Sequence, residues 1–492
     1  MIKIKMPFVI LMALMLLLLI LISCSNEETR QPGNSDTSGA GTGDTGSLPS
    51  FDSLPAINFE GMEFTIANME GYTWIDVTLD LDMAETGEIL DYAIYRRNRI
   101  VEEKYNMTLN VVDRNVWSMS DTIRNQMLAG HSEYELVQIP LHYAATLSVE
   151  GYIADAGKLP GLDLSNPWWD HFANQSTSIA ERQFFLFGDF TIADKEYATA
   201  VFFNKTMHAD FDLPDYYQMV RDGTWTIDNM LVSMRAVTQD INGDGVWSSE
   251  DQYGLVANAH SIWYLFYSAG ETLTRKDSDD MPYWTVQGEA FANAFRRMTE
   301  FMHTNNSTAE AFSLDSHQDI MFAAGKALFD ATLLSVFRVP EGGTQSFREV
   351  EFAFGLLPPP KLNEQQEHYF SFMDADTPCI AIINNDDTRI ERAAVILEAL
   401  NAKSSEEVQS RYREQVLPVK HFRDEESFEM LDIILTNRIF CLSNIFRWGG
   451  FEGSLRPLVV NNRAERLVSM IERNMDRANA AMQETLDKIF AN

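Results

Sequence analysis

The sequence predicts an α/β protein of two lobes, and three observations carry that reading. Residues 59–139 run strand, helix, strand, helix, strand, an order that implies a parallel sheet with right-handed crossovers. The same alternation resumes after residue 184 and persists to residue 400, too long for one sheet. The chain beyond 404 is mainly helical, and no internal repeat interrupts the pattern.

The elements follow from apolar spacing. Met62, Phe64 and Ile66 alternate with polar residues, as a half-buried strand does. Leu90, Ile94, Val101 and Tyr105 recur at helical spacing through the charged stretch 91–104. Met107, Leu109 and Val111 alternate again, then a helix at 121–128 and a strand at 135–139. Two apolar runs, 184–187 and 198–203, read as strands. Residues 223–228 read as a turn and a helix start with Thr226 as cap. Residues 291–302 and 319–329 have helical spacing, 352–360 reads as a strand ending in three prolines, and 379–383 is a further strand. Helices are expected at 389–400, 404–416, 425–437 and 464–489.

Ahead of these elements lies a leader. Lys3 and Lys5 precede an apolar run from 8 to 22, and Leu21-Ile22-Ser23-Cys24 follows. A basic start, an apolar middle and a small residue at the cleavage point make a secretion signal. With cysteine next, the segment resembles a lipoprotein signal peptide, which implies that the Cys24 thiol carries a diacylglycerol. An uncleaved membrane anchor is the alternative, but the run is short for a span of about 20 residues. Residues 25–54 are expected to be a disordered tether, because the tract to Ser50 is rich in Gly, Ser, Thr and Asp.

Bulk properties narrow the partners. The 492 residues carry 72 acids against 38 bases, a net charge of -34. Such a surface repels a phosphate backbone and argues against nucleic acid. It also suits a body held off anionic lipid on a tether. Of three cysteines, Cys379 and Cys441 remain once Cys24 is lipidated, and they pair only if the fold brings their Cα atoms within about 7 Å. Zinc-type Cys/His spacing, an HExxH pattern, a GxSxG elbow and a P-loop are all missing.

Residues 240–251, DINGDGVWSSED, match the first half of a calcium loop. Asp240, Asn242 and Asp244 fall at positions 1, 3 and 5, and Gly245 permits the sharp turn at position 6. Val246 would offer its carbonyl, Ser248 would act through a water, and Asp251 stands where Glu is usual. The shorter carboxylate reaches less well. A structural calcium is the expected cofactor; an Asx-rich surface turn is the alternative.

In feature order the chain resembles the extracellular solute-binding proteins of bacterial ABC importers, the carbohydrate family that includes maltose-binding protein. The carriers are the Cys24 lipobox and linker, the helix of residues 97–105 running into a strand, and Phe202-Phe203-Asn204-Lys205. Gly223-Thr224-Trp225-Thr226, Gly325-Lys326-Ala327-Leu328-Phe329 and Leu356-Leu357-Pro358-Pro359-Pro360-Lys361 complete them. The resemblance implies a periplasmic-binding-protein-like fold with hinge crossovers and a ligand cleft between lobes. Crossings then fall near 194–200, 372–379 and 416–421. Lobe 1 is residues 55–195 plus 374–418, and lobe 2 is 196–373 plus 419–492.

It further implies a monomer, lipid-anchored at the extracellular face of the cell membrane. That monomer captures a sugar or oligosaccharide for ABC permease subunits and catalyses nothing. A secreted glycan-active enzyme and a sugar receptor for a sensor are the alternatives. Sugar rings stack on aromatic faces, which nominates Trp74, Tyr143, Trp263 and Trp448. Glu196, Arg338 and Asp374, near the expected crossings, are the candidate polar contacts. Trp168-Trp169 after Pro167 are assigned to a structural corner.

Overall fold

The computed structural model describes residues 49–80, 89–304, 308–310, 318–338, 347, 350–416 and 425–491. Cys24 and the leader lie outside them. Folded structure begins earlier than the tether boundary expected at 54. Phe51–Ser53 is a 3-10 turn, Phe51 is buried, its N–H donates to Glu406 Oε1 at 3.0 Å and its carbonyl accepts from Lys104 Nζ at 2.6 Å. A single aromatic at the end of a polar tract suffices to dock it.

The alternating residues at 62–66 do form a strand, Met62–Glu70 (β1). Helix Ile89–Tyr105 (α1) leads to Met107–Asn115 (β2), and Val116–Leu128 (α2), capped by the Asn115 side chain, leads to Leu136–Pro140 (β3). Leu141–Val149 (α3) follows without a loop. β1 pairs in parallel with both β2 and β3, as crossover helices require.

The chain then builds a second sheet. Thr199–Asn204 (β4), Ile227–Val237 (α4), Tyr253–Ala257 (β5) and Ala259–Ser268 (α5) come first. A small hairpin, Thr274–Lys276 (β6) and Pro282–Trp284 (β7), precedes helix Glu289–Met302 (α6). Thr308–Glu310 (β8), Ala327–Leu333 (β9) and Phe354–Leu357 (β10) complete it in the order β10-β4-β9-β5-β8. β4 is antiparallel to its neighbours, while β5 is parallel to β9 and β8.

The chain now returns. Ser371–Phe372 (β11) pairs with Arg438–Ile439 (β13), and Pro378–Ile382 (β12), lying between them in sequence, joins the first sheet antiparallel to β3. The first sheet is thus β12-β3-β1-β2. Asp387–Glu407 (α7), Phe451–Val460 (α8) and Leu467–Ala491 (α9) finish the chain.

Burial alternates on the first sheet with period two. Phe64, Ile66, Leu109 and Leu136 pack with Val101 of α1 and Ile396, Leu397 and Leu400 of α7. Ala67, Val137 and Ile139 face the other way, with Ile123 of α2 and Leu147 of α3. In the second sheet β4 and β9 are buried along their whole length, as strands covered on both faces are. Gly254 on β5 meets α4 so closely that a Cβ there would stand 2.2 Å from Met234 Cβ.

Two expectations change. Residues 319–329 are not one helix: Gln318–Ala323 ends at a turn where Gly325 has φ +72°, and β9 begins at Ala327. The 184–187 run forms no ladder; it touches the first sheet through a single bridge, Leu186 to Ile380. Cys379 and Cys441 are both free and buried.

The Trp168-Trp169 corner has a specific anchor in Glu398 of α7, which is buried. Its Oε1 accepts from Asn166 Nδ2 at 2.6 Å and Trp168 Nε1 at 2.9 Å; its Oε2 accepts from Trp169 Nε1 at 3.0 Å and Asp163 N at 3.1 Å. Burial raises this carboxyl's pKa in spite of the four donors. Glu398→Gln should therefore lower stability by about 1–3 kcal/mol, because one oxygen becomes an NH2 facing two N–H donors. A shift of the urea midpoint at constant slope reads it, and an unshifted midpoint would remove Glu398 as the anchor.

Candidate functional site

β1 and β3 end beside one another, and the segment after each turns toward the 374–377 stretch that links β11 to β12. Pro378 pairs with Pro140 at the end of the β12–β3 ladder, where neither ring displaces a needed donor. Beyond it the linker caps α3: Leu141 N donates to Thr377 O at 3.0 Å and His142 N to Ala375 O at 3.0 Å. His142 Nδ1 stands 3.0 Å from both Ala375 O and Asp376 Oδ1. The His142 and Tyr143 rings lie 4.0 Å apart.

After β1, Tyr72 is buried and its ring stacks on that of half-buried Trp74, with centroids 4.3 Å apart. From the second sheet, Tyr264 of α5 donates its hydroxyl to Asp374 Oδ2 at 3.1 Å. Arg447, held at φ +53°, brings Nη2 to 3.9 Å from Asp376 Oδ1. The cluster draws on both sheets and on the linker between them.

Its electrostatics are divided. Burial, then the charges of Asp376 and Glu452, push Asp374 well above the usual carboxylate range. Burial pushes Asp376 the same way, but the hydrogen bond and charge of His142, with Arg447 and His260, overcome it and hold Asp376 low. The phenols of Tyr72, Tyr197 and Tyr264 are raised by burial first and by Asp374 and Asp376 next. Burial thus favours the protonated form of one carboxyl, while His142 and Arg447 favour the charged form of its neighbour.

Beside this cluster stands an ion triad. Arg338 Nη1 donates to Glu196 Oε1 at 2.9 Å and Nη2 to Asp76 Oδ2 at 2.6 Å. Glu196 lies in the short helix Ala193–Glu196 just before β4, Arg338 follows β9, and Asp76 is in the loop after β1. Burial lifts the Glu196 carboxyl to about 7, against the pull of Arg338.

Of the residues the sequence nominated, Trp74, Tyr143 and Asp374 meet in the cluster, and Glu196 and Arg338 meet in the triad. Trp263 and Trp448 turn into the interior, although Trp448 borders one cavity with His142, Tyr143 and Arg447 of the cluster. Trp263 is 1% exposed and stacks on Phe266 in the interior. Trp448 is 1% exposed, lies flat on Phe446 and donates its indole N–H to Thr485 Oγ1 at 2.8 Å. Tyr72, His142, Tyr264, Asp376 and Arg447 were not nominated, and only the Asp374-Ala375-Asp376 pairing offered a local signal.

In the 240–251 loop, Asp240 accepts from Gly243 N and Gly245 N at 2.7 and 2.8 Å. Asn242 accepts from Asp244 N, and Asp244 from Val246 N. Buried Asp251 accepts from Ile241 N and Ser248 N at 3.0 and 2.8 Å. Among the described residues no group of three or more His, Cys, Asp or Glu side chains is placed to hold a metal ion. No described helix is long and apolar enough to cross a membrane.

No protein-family model matches this sequence, and no curated protein matches it. Solved structures match its fold. One is an ABC substrate-binding protein from Listeria monocytogenes in complex with cycloalternan, 11% identical with a TM-score of 0.55, the match covering 86% of this chain and 99% of that one. A second is UgpB from Mycobacterium tuberculosis in complex with glycerophosphocholine, 14% identical with a TM-score of 0.55, covering 80% and 99%. A third is the GacH receptor of Streptomyces glaucescens, solved unliganded and with acarbose, 13% identical with a TM-score of 0.51, covering 88% and 99%. The chain has the two-lobed α/β fold of these binding proteins.

Proposed function

We propose that this protein is the solute-binding component of an ABC importer, which captures a sugar or oligosaccharide between its lobes and delivers it to permease subunits. The observation that carries the reading is the cluster of aromatic rings and carboxyls assembled from both sheets and the 374–377 linker. Stacked Tyr72 and Trp74 offer a flat apolar face, and Tyr143, Asp374, Asp376 and Arg447 offer hydrogen-bonding groups, the pairing that a saccharide's C–H faces and hydroxyls need. The lobes are residues 55–195 plus 374–418 and 196–373 plus 419–492, hinged at the linkers; the placing of β3 and β12 in one sheet and of β4, β5, β8, β9 and β10 in the other supports that division. A ligand touching both lobes draws them together through its higher affinity for the closed state. The ligands named for two of the solved structures, cycloalternan and acarbose, support a carbohydrate.

The test is titration with a panel of oligosaccharides followed by chromatography of the recovered sugar. Saturable binding with unchanged sugar is expected. A carboxyl pushed up by burial, Asp374, beside one held low, Asp376, is also the kind of pair a glycosidase uses, so shortened product would replace the importer reading with an enzyme. No binding to any saccharide would sink the carbohydrate assignment.

Anchoring and calcium belong to the same proposal. Cys24→Ser should abolish incorporation of labelled fatty acid, since only the thiol accepts the lipid; equal labelling of both proteins would refute the lipobox. At the 240–251 loop, Asp240, Asn242, Asp244, Val246 and Asp251 would hold a structural calcium, a reading supported by their spacing and by the turn at Gly245. Calcium at a hundredfold excess over Kd should raise stability by about 2.7 kcal/mol, seen as a higher Tm that chelator reverses and Asp244→Ala removes. An indifferent wild-type Tm leaves an ordinary turn.

A further inference from the structure

Trp74 lies two residues before Asp76, and the loop that carries both is tied to both sheets. Beyond Asp76 the ties come from the first sheet and its helix. Gln138 Nε2 of β3 donates to Val77 O at 3.2 Å. Arg97 Nη2 and Asn98 Nδ2 of α1 donate to Leu79 O at 2.8 and 3.0 Å, and Asn98 Nδ2 also reaches Asp80 Oδ1 at 2.7 Å. Asp76 itself is held from the second sheet. Its Oδ2 accepts from Arg338 Nη2 at 2.6 Å, while its Oδ1 accepts from Thr78 N at 2.9 Å and shapes the turn. Tyr72 and Ile75 are buried, but apolar burial is non-directional. The Tyr72 hydroxyl has no hydrogen-bond partner among the described residues.

Arg338 is not free to follow the loop. It stands directly after β9, where Leu334 N donates to Ala198 O at 3.0 Å and Arg338 N to Ser335 O at 2.8 Å. The other arm of its guanidinium holds Glu196 Oε1 at 2.9 Å. If the lobes part, this fork must leave one carboxylate. Glu196 is fully buried, whereas the Asp76 side chain is 25% exposed and water can replace its partner.

We propose that Arg338 is a positioning residue for the bound solute, which passes the place of the second lobe to the Trp74 ring through Asp76 and touches no ligand itself. The inference rests on the saccharide reading of the Tyr72–Trp74 face. With the lobes together the ring is set on Tyr72 in advance, so binding does not include the cost of ordering it. With the lobes apart the Asp76 tie is lost, and the loop slackens as the solute leaves.

A double-mutant cycle tests it. Calorimetry on the intact protein would measure affinity for maltotriose and cellotriose in wild type, Asp76→Asn, Trp74→Ala and the double variant. Asp76→Asn keeps an oxygen for Thr78 N and leaves Arg338 with Glu196, so it strands no buried charge. It should weaken binding about fivefold, within the range found between coupled residues. On the Trp74→Ala background the same change should have no effect, because it acts through that ring. A residue that only supports the fold would lower affinity equally on both backgrounds. Arg338→Lys, whose single ammonium cannot span both carboxylates, should repeat the result and replaces Asp76→Asn if that variant does not fold. Without ligand, Trp74 emission, isolated by subtracting a Trp74→Phe partner, should move to longer wavelength in Asp76→Asn. An undiminished loss in the absence of Trp74, or no loss where Trp74→Ala weakens binding, would overturn the inference and leave the saccharide reading standing. Unchanged affinity in every variant would overturn both. If neither sugar binds the wild type, a shifted emission supports the Arg338–Asp76 tie while removing these saccharides, and an unshifted one overturns both.

Discussion

Arg338→Ala should cost about 3–5 kcal/mol of stability at neutral pH, since it strips the partner from a buried charge. Glu196 is fully buried, and Arg338 is the cation that holds its carboxyl down to about 7. That value already lies above the ordinary 4.5, so between the two the folded state binds more proton than the unfolded. For a carboxyl raised in this way, stability falls as pH rises through the window. Without Arg338 the folded pKa climbs further and the window widens upward. The loss should therefore be larger at about pH 8 than at about pH 5, where Glu196 is protonated. Urea midpoints of wild type and variant at both values measure it. Adding Glu196→Gln to Arg338→Ala should flatten the difference, and an equal loss at both pH values would show that Glu196 is not its source.

Trp74→Ala should weaken saccharide affinity by about tenfold or more, equivalent to roughly 1.4 kcal/mol, with little change in melting. Its ring is half-buried and rests on Tyr72, so its removal leaves no sealed cavity. Trp448→Ala should do the reverse. Its ring is sealed between Phe446 and Trp284, and its loss should cost about 3–5 kcal/mol of stability. Paired denaturation and binding curves separate the two. Unchanged affinity in a well-folded Trp74→Ala protein would move the site away from the β1 end.

Much of the architecture was legible because it rests on local periodicity. Met62, Phe64 and Ile66, and the helix through Leu90 and Ile94, declare themselves over a few residues. The helix expected at 319–329 hid a strand, because Ala327 to Phe329 is a short apolar run with no period of its own. Each residue of the cluster lies within two positions of one that the sequence nominated. Trp263 and Trp448 mark the right segments, yet Tyr264, about 100° round the helix from Trp263, and Arg447, at the left-handed turn before Trp448, are the residues that reach Asp374 and Asp376. Tryptophan draws the eye, while the greater apolar area of its side chain draws it into the core. Partners such as Arg338 and Asp76 are 262 positions apart, and no spacing rule reaches that far.

The return of β12 to β3 bears on how the chain is made. Gln138 pairs with Ile380, and every strand of the second sheet lies between them. As the chain emerges, β1, β2 and β3 can associate early through short connections. β3 then keeps an open edge until residue 382 has arrived, and an open edge is a template for pairing with other chains. Closing so long a loop also slows the last step more than it weakens the product. Synthesis must carry this protein through an interval in which its first sheet is formed but unsealed, and β12 ends that interval.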